Sequence, residues 1–188
     1  MDFLQLAKAR HSVRKYASTP VEAHKLENIL EAGRVAPTAA NKQPQRFLVV
    51  STSEGLSKLG KAANLHGAPL AIVVCGLKDK AWQRPQDGHL MVDIDTTIAA
   101  THMMLQAWSE GIGSCWITWF DPATVCSEFA LPENVVPVNI LVLGYAAGEP
   151  GAAQSPCRHQ QQRIPLDDMV WRENLPCSLK GCKKDSVI

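Results

Sequence analysis

Residues 36–47, A-P-T-A-A-N-K-Q-P-Q-R-F, lie between an amphipathic helical pattern and a short apolar run. Pro37 and Pro44 predict bends around a small, polar segment. Small side chains let a flat ligand approach the backbone, and the amides of Asn41 and Gln43 can both donate and accept hydrogen bonds. Taken alone, the stretch is more typical of an ordinary turn than of a binding site. The residues on either side make it a candidate ligand-binding loop.

The composition is that of an ordinary globular protein. Of the 188 residues, 46% are hydrophobic and 20% are charged, which predicts one domain with a real core. The net charge of +1 provides no field that would attract nucleic acid or an anionic membrane. No apolar run reaches the ~18 residues of a transmembrane helix, and the N-terminal M-D-F-L-Q-L lacks the apolar core of a signal peptide. We therefore expect a cytoplasmic protein.

The cysteine pattern gives no sign of a disulfide framework or a metal site. The six cysteines are Cys75, Cys115, Cys126, Cys157, Cys177 and Cys182. Three lie in apolar segments, where a free thiol behaves as a small hydrophobe. No C-x-x-C pair is present, and a cluster of Cys157, His159, Cys177 and Cys182 matches no zinc-binding spacing. No metal is predicted, and a zinc-binding module in the tail is the minor alternative.

Hydrophobic periodicity predicts alternating helices and strands. Helices are expected over residues 2–9, 21–35, 53–63, 91–110 and 121–129, and strands over residues 47–51, 68–76, 135–144 and within 111–120. Thr19 and Pro20 predict the cap and the first residue of the second helix. The continuous apolar strands favour a sheet covered on both faces, which by itself is typical of a parallel sheet.

The C-terminal part is less regular. Residues 145–162 are rich in Gly, Ala, Gln and Pro and predict an extended loop. Residues 163–171 predict a short structured piece, and residues 176–188 a basic tail.

Two short patterns resemble catalytic motifs but have simpler explanations. Asp93 and Asp95 are two residues apart, so a helix places them on different faces. Capping or first-turn dipole stabilisation is the better account of this pair. Gly111-x-Gly113 lacks the context of a nucleotide-binding motif and predicts a helix end that leads into a strand.

The basic segment R-H-S-V-R-K-Y, residues 10–16, follows the first helix. Arg10 and Arg14 flank an imidazole and a hydroxyl, and guanidinium forks suit phosphate oxygens. A solvated basic turn explains the segment equally well when it is considered alone.

The order of these motifs resembles the nitroreductase family of FMN-dependent oxidoreductases. The resemblance covers about residues 2–170 and rests on residues 10–16, 36–44, 93–117, 142–146 and 163–170. It implies a mixed α+β, three-layer fold with a central, mostly antiparallel sheet flanked by helices. It also implies a homodimer with FMN at the subunit interface. Residues 1–175 would form a single FMN-binding domain, and residues 176–188 a tail that is either a partner-embracing arm or disordered.

The resemblance also assigns residues to the FMN phosphate and ribityl chain. Arg10, His11 and Ser12 match positions that hold these groups, and Arg163 matches a late arginine that closes on the phosphate. Arg14 matches a basic residue near the flavin pyrimidine, where a cation favours the reduced flavin. The resemblance favours a phosphate contact over general acid catalysis for His11.

The remaining matches concern the flavin ring. Pro37, Thr38 and Asn41 match a loop that reaches the flavin from the partner subunit. Asn64 matches an amide that contacts the pyrimidine ring. Ile117 and Thr118 match a strand end whose backbone approaches flavin N5 and O4.

Three features depart from the family pattern and leave the electron acceptor open. Gln45 replaces a common aromatic residue, and Trp119 replaces a small one. The 78–90 loop, which carries Trp82, is short.

The reaction implied is ping-pong hydride transfer from NADH or NADPH through flavin N5 to an organic acceptor such as a nitroaromatic or a quinone. Because the cofactor carries the chemistry, no acid–base side chain is essential. The alternatives are a specialised flavin reductase or reductive dehalogenase, and a non-catalytic flavin carrier or sensor.

Overall fold

A four-stranded antiparallel sheet forms the centre of the protein, seen in a computed structural model that describes residues 2–148 and 158–173. Its order is β1-β2-β4-β3. The strands are β1 (Gln45–Val50), β2 (Leu70–Leu77), β3 (Gly113–Ile117) and β4 (Val135–Gly144). The antiparallel sheet implied by the family resemblance is confirmed, and the parallel sheet favoured by the apolar patterns is wrong. The strands are mostly apolar because helices cover both faces of the sheet, whatever the strand direction.

Seven helices surround the sheet in the described residues. They are α1 (Phe3–Ala9), α2 (Ala23–Arg34), α3 (Ser53–Gly60), α4 (Val92–Ser109), α5 (Pro122–Glu128), α6 (Arg158–Gln162) and α7 (Leu166–Met169). Helices α2 and α4 cover one face, where Ile29 and Met103 are fully buried. Helices α3 and α5 cover the other face with Leu59 and Val125. The expected three-layer fold is therefore confirmed.

The basic segment after α1 lies along the outer edge of β3. Ser12 forms a parallel bridge with Ser114, and the Val13 N–H donates to the Ser114 carbonyl at 2.8 Å. Further along, the Ala17 N–H donates to the Tyr145 carbonyl at 2.8 Å. This pairing attaches the N-terminal segment to the sheet at the start of β3.

The predicted start of the second helix is wrong. Helix α2 begins at Ala23, after Glu22, rather than at the predicted Thr19–Pro20 cap. The Glu22 carboxylate accepts a hydrogen bond from the Tyr145 hydroxyl at 2.7 Å, and Lys25 donates to the same hydroxyl at 2.8 Å. A contact with the end of β4 therefore accompanies the helix start, and local capping signals do not report such a contact.

Two further predictions have mixed outcomes. Gly111 has φ +75° after the last turn of α4, which confirms the predicted helix end. The extended loop predicted over residues 145–162 is wrong at its end, because α6 covers residues 158–162.

The structure leaves two predictions untested. Cys157, Cys177 and Cys182 lie outside the described residues, and so does the tail from residue 176 to residue 188. Among the described helices, none has both the length and the apolar character needed to cross a bilayer.

Candidate functional site

A small pocket beside α1 collects most of the predicted phosphate ligands. Its volume is about 160 Å³. We call it the basic pocket, and its lining residues are Arg10, His11, Ser12, Arg14, Arg158, His159, Gln162 and Arg163. The structure thus joins the 10–14 segment to Arg163, which is remote in sequence.

The basic pocket carries unbalanced positive charge. None of its lining residues is acidic, and within residues 2–148 and 158–173 its arginines form no salt bridge. Burial lowers the pKa of the Arg10 guanidinium, and the charges of Arg158 and Arg163 lower it further. Cations placed this close to one another, without a carboxylate among them, suit a multiply charged oxyanion.

Arg158 is a pocket residue that the sequence did not reveal. Its side chain is buried, and Nη2 donates to the carbonyl oxygens of Lys8 and Arg10, each at 2.6 Å. These are carbonyls at the C-terminal end of α1, where a cation is favourable. Arg158 lies just after a stretch rich in Gly, Ala and Pro, so no local pattern distinguished it.

His11 lines the pocket, and two contacts hold its ring. Its Nδ1 lies 3.3 Å from the Ala9 carbonyl oxygen, and its ring packs edge-on against Trp108 at 4.6 Å between centroids. Nε2 is buried and has no partner among the described residues. Burial lowers the pKa of His11, and the Arg158 and Arg10 charges act in the same direction. In a neutral ring whose Nδ1–H donates to the Ala9 carbonyl, Nε2 is a hydrogen-bond acceptor, which suits a hydroxyl but not a phosphate oxygen.

A second, larger pocket lies at the opposite end of β3. Its volume is about 620 Å³. We call it the strand-end pocket, and its lining residues are Ala62, Ala63, Asn64, His66, Ile117, Trp119, Phe120 and Asp121. It brings together Asn64 and Ile117, two predicted flavin contacts that are far apart in sequence.

The residues in and beside the strand-end pocket differ in how free their side chains are to contact a ligand. The Asn64 side-chain oxygen accepts from the His66 N–H at 2.9 Å, so it shapes its own turn. Thr118 is exposed beside the pocket. The Trp119 side chain is 94% exposed, which leaves a large aromatic surface open beside the strand end.

The other two departures do not line the strand-end pocket. Gln45 is buried at the start of β1, and Trp82 is half-buried in the 78–90 loop.

The predicted flavin loop lies apart from both pockets. Pro37, Thr38 and Asn41 line neither the basic pocket nor the strand-end pocket of their own chain. The Ala39 N–H of this loop donates to the Asp95 carboxylate on α4 at 2.9 Å. Within a single chain, these residues are therefore part of neither pocket.

Asp93 and Asp95 both lie in the first turn of α4, as the dipole explanation predicted. Capping does not describe either of them, because Met91 occupies the cap position and no side chain caps the helix. The contact between Asp95 and the loop was missed, since the two are 56 residues apart.

Comparison with known proteins gives a consistent result. A sequence model of the nitroreductase family matches residues 7–64 and 56–145. A protein of Methanothermobacter thermautotrophicus, named provisionally as an NADH dehydrogenase/NAD(P)H nitroreductase, is 33% identical over 160 residues. The match covers 80% of this chain and 81% of that protein.

Solved structures show the same similarity. The crystal structure of a nitroreductase family protein from Clostridium difficile 630 has 50% sequence identity and a TM-score of 0.89. It covers 93% of this chain and 100% of its own. An FMN-dependent nitroreductase from Clostridium difficile R20291 is 28% identical with a TM-score of 0.72, covering 88% and 99% of the two chains.

Three observations point to the same family: the fold, the arrangement of the two pockets on β3 and the matched sequence. The family model spans most of the described chain and includes the basic segment, the 36–44 stretch and β3. The chain therefore belongs to the nitroreductase family.

Proposed function

We propose that this protein is an FMN-dependent NAD(P)H oxidoreductase that reduces an organic acceptor such as a nitroaromatic or a quinone. The observation that carries the proposal is the basic pocket, in which Arg10, Arg158 and Arg163 lie together without a carboxylate. Support also comes from the FMN-dependent nitroreductase and the NAD(P)H nitroreductase named above.

The basic pocket fits the phosphate of FMN. A phosphate monoester carries about −1.5 to −2 charges at neutral pH and offers three acceptor oxygens. Arg10 and Arg163 supply guanidinium donors, and Ser12 supplies a hydroxyl. Arg158 keeps these groups together by binding the carbonyls on either side of Ala9. His11 lines the same pocket and would contact the ribityl chain next to the phosphate.

The strand-end pocket is the proposed location of the flavin ring. The Ile117 and Thr118 backbone would approach the ring near N5, and Asn64 would contact its pyrimidine edge. Arg14 lines the basic pocket rather than the strand-end pocket. It would therefore place positive charge at the ring edge nearest the phosphate, where reduction develops negative charge on N1 and O2. FMN, when bound, supplies hydride acceptance from NADH or NADPH and hydride donation to the acceptor. We propose a ping-pong sequence in which the nicotinamide and then the acceptor bind in turn against the same face of the flavin ring.

We further propose a homodimer in which the loop carrying Pro37, Thr38 and Asn41 reaches the FMN of the partner subunit. The loop residues line neither pocket of their own subunit. Large apolar side chains are also exposed on α1 and α4, including Phe3 at 70% and Ile94 at 47%. Exposed apolar surface of this kind is typical of interfaces.

The first test is the visible spectrum of the purified protein before and after anaerobic addition of NADH and then NADPH. A flavin spectrum that bleaches is the expected result, and the faster donor identifies the preferred nicotinamide. A flavin that neither donor bleaches would favour the carrier or sensor. Absence of flavin binding, even with added FMN, would contradict the proposal. Stoichiometric zinc without flavin would favour the metal-binding alternative.

The phosphate assignment has its own mutational test. Arg10→Ala is expected to weaken FMN binding by about 2–3 kcal/mol, since it removes a charged hydrogen-bond donor. That corresponds to roughly a 30- to 150-fold rise in Kd by fluorescence titration. Arg34→Ala removes an exposed arginine that pairs with Glu31 and is the matched control. Unchanged FMN affinity in Arg10→Ala would refute the assignment.

A further inference from the structure

The loop from Thr38 to Gln43, here called the 38–43 loop, has an unfavourable backbone conformation. Ala40, Asn41 and Gln43 have φ values of 49°, 52° and 50°. This left-handed region is disfavoured for residues with a Cβ atom. Such conformations persist only where surrounding contacts over-determine them, and they concentrate at functional sites.

Hydrogen bonds within the loop do not attach it to the rest of the fold. The Gln43 N–H donates to the Thr38 hydroxyl at 3.1 Å, and the Gln43 side chain donates to the Asn41 carbonyl at 3.2 Å. Asn41 is exposed. These bonds shape the turn, and contacts from outside the loop orient it. One comes from β1, where Arg46 Nη1 donates to the Gln43 carbonyl at 3.1 Å.

Asp95 provides a second external contact, from α4. Its side chain is 1% exposed, and Oδ1 accepts the hydrogen bond from the Ala39 N–H at 2.9 Å. Oδ2 is buried and has no partner among the described residues. A half-satisfied buried carboxylate is unfavourable. The helix dipole favours a carboxylate in this first turn, but it does not require one that is buried and bonded to the Ala39 amide.

We propose that Asp95 is a positioning residue that holds the 38–43 loop so that Thr38 and Asn41 contact FMN in the partner subunit. The inference rests on the proposed function. Asp95 does not touch the cofactor. It acts through the Ala39 amide, which begins the short 3-10 turn Ala39–Asn41 that carries Asn41.

The test compares Asp95→Ala, Asp95→Asn and the control Asp93→Ala. Asp93 lies in the same turn of α4 but is exposed. Hydrogen exchange of the 36–46 segment in the FMN-free protein reports the loop directly. A fluorescence titration reports FMN affinity, and steady-state kinetics separate KM from kcat.

Asp95→Ala is expected to lose protection in the 36–46 segment and to bind FMN more weakly by tenfold or more, on the order of one lost charged hydrogen bond. Asp95→Asn keeps an acceptor oxygen and should retain most of the protection and affinity. Asp93→Ala should match the wild type in both measurements.

Ala39→Pro tests the same hydrogen bond from the loop side and serves if Asp95→Ala does not fold. Ala39 is the first residue of its turn and follows extended Thr38, a position that proline tolerates. This variant removes the donor N–H and should also loosen the loop and weaken FMN binding.

Unchanged protection in Asp95→Ala and Ala39→Pro would overturn the inference. A loosened loop with unchanged FMN affinity and kinetics would overturn it as well. If the wild type itself does not bind FMN, the proposed function fails, whereas wild-type binding that Asp95→Ala preserves refutes only this inference.

Discussion

Single side chains create the chemistry of the basic pocket. Arg158 joins α6 to the end of α1 through the Lys8 and Arg10 carbonyls. It therefore orients the backbone of Arg10 while adding its own charge beside that residue. His11 shares the pocket but contributes an imidazole whose pKa is lowered, first by burial. The pocket thus combines permanent cations with the imidazole rings of His11 and His159.

The His11 environment predicts a pH dependence of stability. Its folded pKa lies below the unfolded value of about 6.5. The unfolded state therefore binds more protons as the pH falls through that value, and stability decreases. The stabilising contribution is present above about pH 6.5 and is lost below it.

Urea unfolding of the FMN-free protein measures this loss of stability. The titration runs from about pH 5 to about pH 8, on both sides of the unfolded pKa. His11→Gln should remove part of the decrease at acid pH. His89→Gln changes an exposed histidine in the 78–90 loop and should leave the profile as in the wild type. A His11→Gln profile identical to wild type would contradict the prediction.

At the scale of elements, the contact between α4 and β2 places Asp95 beside the loop. A Cβ atom added to Gly76 on β2 would lie 2.2 Å from Val92 Cγ2 and 3.2 Å from Thr96 Cγ2 of α4. The first turn of α4 therefore packs directly against the strand backbone. This close approach of α4 to β2 sets how near Asp95, in the same turn of α4, lies to the Ala39 amide.

Gly76→Ala is accordingly expected to lower the free energy of unfolding by about 1–3 kcal/mol through overpacking. It should also reduce hydrogen-exchange protection of the 38–43 loop, since α4 must shift outward. Gly60→Ala on α3 is the control because an added Cβ meets nothing within 4 Å. That variant should change stability by less than about 1 kcal/mol, in the stabilising direction. Equal stability of both variants would show that α4 does not pack as described.

At the scale of the whole molecule, the two halves of the proposed FMN site lie in different places on one subunit. The basic pocket lies beside α1 and β3, whereas the 38–43 loop lies on α4. A complete site then needs one pocket and a loop from another subunit. Under this proposal, FMN binding depends on formation of the dimer.

This division predicts complementation between inactive subunits. Arg10→Ala and Asn41→Ala homodimers should each be impaired. Unfolding and refolding an equimolar mixture should yield heterodimers with one intact site and activity above either parent. The double variant Arg10→Ala/Asn41→Ala mixed with itself is the negative control. No gain on mixing, with heterodimers verified by mass, would place both residues in one site of a single subunit.

The sequence by itself determined most secondary structure, because apolar spacing and local caps are properties of neighbouring residues. β4 spans the predicted Val135–Gly144, and α5 (Pro122–Glu128) lies within the helix predicted over residues 121–129. The resemblance also brought Arg10, His11, Ser12 and Arg163 into one proposed site, and the basic pocket contains all four.

Tertiary structure alone decided the contacts between distant residues. The apolar strand patterns could not give the strand direction, since both faces are buried either way. Arg158 is held by the Lys8 carbonyl, and Asp95 is held by the Ala39 amide. Both contacts join residues that are far apart in sequence. Backbone donors and acceptors are the same at every position, so a sequence does not mark which of them a buried charge will meet.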